Sequence, residues 1–209
     1  MLLTFDTCLD KTYVALANDT QIIESRIVDN KETTYHSAYL ISTIKEILNN
    51  NNVKPNDIKV VATDVGPGSF TGIRACMTVA KVMTQQLNIK AIGLSSLEIL
   101  SKLNENNKTL VLLDARKNKA YVWDKEILGA IDIENVREMV KSSDYSIICD
   151  ESMFNIFSEY TSNIKIYNSV EHNFAEIMAD IIINNPERFK DYKHELKPLY
   201  IQPPPIFGK

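Results

Sequence analysis

Between Val60 and Arg74 the sequence reads Val-Val-Ala-Thr-Asp-Val-Gly-Pro-Gly-Ser-Phe-Thr-Gly-Ile-Arg, and few folds can use such a run. A short β-branched stretch ends in an acid, turns through Gly66-Pro67-Gly68 and enters a segment that reads as helix through Leu87. Gly66 and Gly68 accept backbone angles that a Cβ forbids, and Pro67 fixes φ between them. Ser69 or Thr71 can cap the helix by accepting a hydrogen bond from a free N–H of its first turn. A strand, a glycine turn and a helix N-terminus make a place where a phosphate or carboxylate can sit. They equally make a plain strand-to-helix turn in an α/β sheet. The loop has neither the Gly-Lys-Ser/Thr ending of a P-loop nor the spacing of a dinucleotide fingerprint.

The helix says more. Its apolar residues are Phe70, Ile73, Ala75, Cys76, Met77, Val79, Ala80, Val82, Met83 and Leu87. Arg74, Thr78, Lys81 and Gln85 fall on one narrow stripe. A helix laid on one sheet face needs an apolar arc of about 100°, and this arc is far wider. Either a second layer of the same chain covers the remainder, or another protein does.

Around this centre the chain alternates strands and helices. Leu2–Phe5, Thr12–Ala17 and Gln21–Val28 read as strands of a meander. A helix begins at Thr33 or Thr34, with Leu40, Ile41, Ile44, Ile47 and Leu48 at helical spacing. Strands follow at Ile58–Ala62 and Ile89–Leu94, and Ser95 with Glu98 resembles a capping box. Past the polar stretch at 104–108 come strands Thr109–Leu113, Lys119–Trp123, Tyr145–Cys149 and Ile164–Tyr167. Helices read at Glu134–Lys141, Met153–Phe157 and Phe174–Ile183, and a proline-rich tail from Pro198 is extended. One constant offset lays Asp6, Lys11, Tyr13 and Val14 over Asp114, Lys119, Tyr121 and Val122. A duplicated lobe is expected, in residues 1–103 and 104–209, with the α/β topology of the actin, sugar-kinase and Hsp70 class. In that class each lobe is a mixed β-sheet flanked by helices.

A net charge of −4 argues against unaided binding to nucleic acid, which needs a basic face. The opening Met1-Leu2-Leu3-Thr4-Phe5-Asp6 turns acidic too soon for a signal peptide, and no apolar run approaches the roughly 20 residues of a membrane span. Cys8, Cys76 and Cys149 are odd in number and far apart, so they read as free thiols of a reducing cytosol. A cytoplasmic protein with no membrane partner is expected.

Gly66-Pro67-Gly68-Ser69-Phe70-Thr71-Gly72-Ile73-Arg74, with Ala80-Lys81 and Gly93-Leu94-Ser95-Ser96-Leu97, resembles the signature of the TsaB (YeaZ) family. Phe5-Asp6-Thr7, His36-Ser37, Leu112-Leu113-Asp114-Ala115-Arg116 and Pro198-Leu199-Tyr200 extend the resemblance over most of the chain. The resemblance implies an actin-like (ASKHA) two-lobe fold and a non-catalytic role in synthesis of tRNA N6-threonylcarbamoyladenosine (t6A). It implies TsaD as catalytic partner and TsaE as the ATPase of the larger complex. ATP and metal are expected on the partner, and tRNA is reached only through the complex. In that family the first helix and the helix after the glycine loop pack on TsaD. The expected seam is therefore Leu40, Ile44, Phe70, Ile73, Met77 and Ala80, with Arg74 at its rim. The apolar surface of the same helices leaves open a homodimer of the free protein, which the sequence does not decide. The chain departs from the family pattern at Cys8, at Ala75-Cys76-Met77 and at Gln202.

The residues offer little chemistry of their own. TsaD-type subunits hold a metal through two histidines one helical turn apart, whereas His36 is followed four positions later by Leu40, and His172 and His194 also lack a second His at that spacing. No Ser/His/Asp set, CxxC pair or HExxH motif occurs in the sequence. A non-catalytic subunit without a metal or cofactor of its own is the reading. The alternative is a small actin-like ATP-dependent phosphotransferase or ATPase, with Asp6 and Thr7 near Mg²⁺-nucleotide and Gly66, Gly68 and Ser69 beside the phosphates.

Overall fold

The computed structural model describes residues 1–29, 36–104, 108–169, 171–190 and 196–201, without the side chains of His36 and Ser37. The expected helix start at Thr33 or Thr34, the side chain of His36, and His194, Gln202 and the prolines beyond it lie outside the described residues.

The first sheet takes β1 (Leu2–Asp6), β2 (Thr12–Ala17), β3 (Ile22–Val28), β4 (Val60–Asp64) and β5 (Lys90–Leu94) in the order β3-β2-β1-β4-β5. β1 runs antiparallel to β2, pairing Phe5 with Val14, and parallel to β4, pairing Phe5 with Thr63. Between β3 and β4 stand a 3-10 turn, His36–Tyr39, and α1 (Leu40–Asn50); α2 (Phe70–Leu87) joins β4 to β5. Every residue of β1 is buried because both of its faces are covered. Leu3 and Phe5 share a core with Leu40, Ile44 and Ile47 of α1 and Ile73, Met77 and Ala80 of α2. Thr4, on the opposite face by the period of two, donates its hydroxyl to the Ala175 carbonyl at 2.6 Å.

The second sheet repeats that plan after α3 (Ser96–Ser101). Its strands are β6 (Thr109–Arg116), β7 (Lys119–Asp124), β8 (Glu126–Asp132), β9 (Ser146–Cys149) and β10 (Ile164–Ile166), in the order β8-β7-β6-β9-β10. As in the first sheet, an antiparallel meander is followed by two parallel strands. α4 (Ile133–Ser142) and α5 (Glu151–Phe157) take the places between strands that α1 and α2 hold in the first sheet. Leu110, Leu112, Val122, Val136 and Phe157 are buried in one cluster. The duplication read from a handful of matched residues is thus a duplication of sheet topology.

The division at 103/104 needs correction. The described residues form two compact units, Met1–Ser96 with Asn173–Leu199, and Leu97–His172 with Tyr200 and Ile201. The physical reason is α6 (Phe174–Ile183), which covers the first sheet: the Phe174 ring lies 4.7 Å from that of Tyr13, and Ser25 of β3 bonds the Glu176 carboxylate. α7 (Pro186–Lys190) follows α6 in the same unit, with Lys190 accepting a hydrogen bond from the Lys90 ammonium through its carbonyl at 2.6 Å. Strand β4 starts two residues later than expected. A 3-10 turn at Pro55–Asp57, tied by the Lys54 N–H to the Asp57 carboxylate, delays the pairing with β1 until Val60 meets Leu2.

Candidate functional site

At the carboxyl end of β4 the glycine loop is fastened to its own chain. The Asp64 carboxylate accepts from the Gly66 N–H at 2.6 Å and from the Ser96 hydroxyl at 2.7 and 2.8 Å. The Ser96 N–H in turn donates to the Gly66 carbonyl. Ser69 caps α2, its hydroxyl oxygen accepting from the Gly72 N–H at 3.2 Å, while its own N–H donates to the Cys8 carbonyl at 2.7 Å. Leu199 N–H donates to the Val65 carbonyl, so the tail segment also lies against the loop.

Two glycines mark where the β1–β2 turn crosses the start of α2. A Cβ on Gly68 would stand 2.4 Å from the Cys8 carbonyl oxygen, and one on Gly72 would stand 1.9 Å from that of Thr7. Thr7 adds a hydrogen bond from its hydroxyl to the Gly72 carbonyl at 3.0 Å. Gly66 has φ +100°, open to glycine but strained for other residues. Asp6, Thr7, Gly66, Gly68 and Ser69, expected near a nucleotide, are thus brought together. Their backbone donors at Gly66 and Ser69 are spent inside the chain.

Asp6 and Asp64 end adjacent strands and both are fully buried. Burial pushes the Asp6 carboxyl up to about 6, against hydrogen bonds at Cys8 that favour the anion. Burial, reinforced by the Asp6 charge, also holds Asp64 well above the usual carboxylate range. A raised carboxyl keeps its proton in the folded chain over a pH range where the unfolded chain has lost it. Its stabilising contribution is therefore complete below about 4 and is lost as pH rises through about 6. Urea melts in EDTA-containing buffer should show stability falling between pH 4 and 6 by up to about 3 kcal/mol from this group. Asp6→Asn should remove that fall; an unchanged slope in the variant would assign it elsewhere.

The helices differ from the expected seam. Leu40, Ile44, Ile73, Met77 and Ala80 are core residues of the chain itself, with Ile73 2% and Met77 5% exposed. Part of the arc that looked too wide for one sheet is met by the 3-10 turn, which packs against α2. Phe70 (45% exposed) and Arg74 do face outward. So do two residues that spacing left unassigned to the surface, Ile41 at 67% and Val82 at 51%. Periodicity placed Ile41 beside Leu40 and Ile44 in one apolar set and could not say which edge of the set would be left outside.

Two lobes of one repeated sheet plan, each opening with an antiparallel meander and followed by parallel strands, define the actin-like (ASKHA) class. The family model described as TsaD, tRNA N6-adenosine threonylcarbamoyltransferase, matches residues 22–147. The chain belongs to that family and, within it, to the TsaB (YeaZ) members. It is 26% identical to the tRNA threonylcarbamoyladenosine biosynthesis protein TsaB of Buchnera aphidicola subsp. Baizongia pistaciae, over 96% of this chain and 97% of that one. It is 30% identical to TsaB of Bacillus subtilis, over 57% of this chain and 52% of that protein, so the latter match spans about half of each. Among solved structures, YeaZ from Pseudomonas aeruginosa superposes with a TM-score of 0.70 at 19% identity, covering 90% of this chain and 93% of that one. A second Pseudomonas aeruginosa structure, described as similar to peptidase YEAZ, gives 0.73 at 17% identity, covering 96% and 99%. At these identities the structures speak for the fold.

Proposed function

We propose that this chain serves in tRNA threonylcarbamoyladenosine synthesis as a non-catalytic subunit that binds TsaD through the outward faces of α1 and α2. The pathway is suggested by the relatives that carry the TsaB name. The partner reading is carried by one observation, the exposed apolar side chains Ile41, Phe70 and Val82 on those two helices. Large apolar residues held in water gain about 25 cal/mol per Å² on being covered. Arg74 and Lys81 on the same helix supply a polar rim. In this reading ATP and metal act on TsaD, TsaE joins the larger complex, and tRNA is met only there.

The phosphotransferase alternative fares less well. It asks the glycine loop to offer its N–H groups to phosphate, yet Gly66 and Ser69 donate to Asp64 and Cys8. Among the described residues no helix is long and apolar enough to cross a membrane.

Co-expression with the TsaD of the same organism tests the reading. The native chain should co-purify with TsaD and support formation of the modified nucleoside. Val82→Glu and Ile41→Glu should weaken the complex at least roughly 10-fold, because each would bury a charge at the contact. Their own melts should stay within about 0.5 kcal/mol of native, as expected at exposed positions. A native chain that never associates with TsaD, or variants that associate unimpaired, would defeat it.

A further inference from the structure

Cys8 and Cys76 lie far apart in the sequence, and folding brings them together. One carboxylate oxygen of Asp6 and the sulfurs of Cys8 and Cys76 all lie within 4.8 Å of one another, and all three residues are buried. The Asp6 Oδ1 atom accepts from the Cys8 N–H at 2.6 Å, but its Oδ2 atom is buried without a hydrogen-bond partner. No ion pair reaches Asp6 among the described residues. A buried carboxylate oxygen left this way is costly, and a cation beside it would remove the cost.

We propose that Asp6, Cys8 and Cys76 form a binding site for one thiophilic cation, with Zn²⁺ the metal it suits best. Two sulfurs and one carboxylate oxygen are a donor set for Zn²⁺, whereas Mg²⁺ and Ca²⁺ take oxygen alone. Zn–S bonds of about 2.3 Å put the sulfurs of a tetrahedral site about 3.8 Å apart, so the cluster needs to close by about 1 Å at most. Binding would release both thiol protons to solvent. The surrounding polar atoms hold the set in place: the Thr7 hydroxyl is 3.2 Å from the Cys76 sulfur, and the Cys8 thiol reaches the Asp64 carbonyl at 3.5 Å. Three protein ligands leave a fourth position for water. A Cys8–Cys76 disulfide would use the same two sulfurs but would leave Asp6 Oδ2 as it is. The site stands apart from the role proposed above and does not depend on it.

The test uses the full chain, reduced, stripped with chelator and freed of it, and titrated with Co²⁺ as the probe. One equivalent should bind with sulfur-to-cobalt charge-transfer absorption and the visible bands of tetrahedral Co²⁺, and Zn²⁺ should bleach both. Cys8→Ser and Cys76→Ser should each keep at most about half the sulfur band, from the one remaining thiolate, and bind Zn²⁺ at least roughly 100-fold more weakly, beyond what loss of an indirect partner costs. Cys149→Ser, in the second unit, should leave the titration unchanged. Zn²⁺ should also raise the melting temperature of the native chain, a readout that requires no variant to fold. Absence of stoichiometric binding by the native chain, a sulfur band of undiminished intensity in Cys76→Ser, or bands that vanish in Cys149→Ser would each overturn the site.

Discussion

Gly72→Ala is expected to cost at least about 3 kcal/mol of stability, or to prevent folding altogether. The added carbon would stand 1.9 Å from the Thr7 carbonyl oxygen and 2.7 Å from its carbon. An overpacked site usually relieves itself by moving a side chain, but here both parties are backbone. Thr7 cannot retreat easily, because the Cys8 N–H is bonded to Asp6 and the Cys8 carbonyl to Ser69. Alanine's better helix propensity returns only about 1 kcal/mol. Urea melts of Gly72→Ala beside Thr78→Ala, an exposed change on the same helix, isolate the effect. A Gly72→Ala midpoint within about 1 kcal/mol of native would mean that the turn does not cross the helix this closely.

The second large effect is expected at Ile73→Glu. Ile73 lies in the first core, and its Cδ1 would be 2.8 Å from a Cβ placed on Gly66. A carboxylate there would be buried with no positive partner, and either its ionisation or its neutralisation would cost more than about 4 kcal/mol. The variant should be insoluble or unfolded, whereas Ile73→Val should stay folded at a cost of about 1 kcal/mol. Circular dichroism and solubility decide the matter before any binding assay. A soluble Ile73→Glu with a native melt and no affinity for TsaD would restore Ile73 to the contact surface. In the reading proposed above that role falls instead to the exposed Val82 and Ile41, whose replacement should spare the fold.

What was legible in the chain was whatever local physics decides. The strand–glycine–helix unit at 60–87 announced itself through Gly66, Pro67 and a serine cap, and Ser69 is the residue that caps α2. Phe174–Ile183 was readable as a helix from its apolar continuity, and it has those bounds. β8 was not legible: Glu126-Ile127-Leu128-Gly129 does not alternate, and as an edge strand it leaves both Ile127 and Leu128 exposed. The short α7 went unread for want of length. Membership of a unit was harder still, since nothing in the pattern of α6 says which sheet it will cover. For the site, Asp6 and the glycines could be named, but their partners could not. Asp64 and Ser96 meet across 32 positions, and Thr7 meets Cys76 across 69. Cys8 and Cys76, remote in sequence, gave no sign of adjacency.

The placement of α6 bears on how the chain comes to be folded. Thr4 and the carbonyl it grips are 171 positions apart, and the whole of the second sheet is synthesised in the interval. The opening strands therefore emerge from the ribosome with one flank bare and must wait for a late-made lid. During that wait an intervening unit can condense by itself, while the founding one remains open to chaperones or to mispairing. Order of translation and order of completion run in opposite senses in this polypeptide.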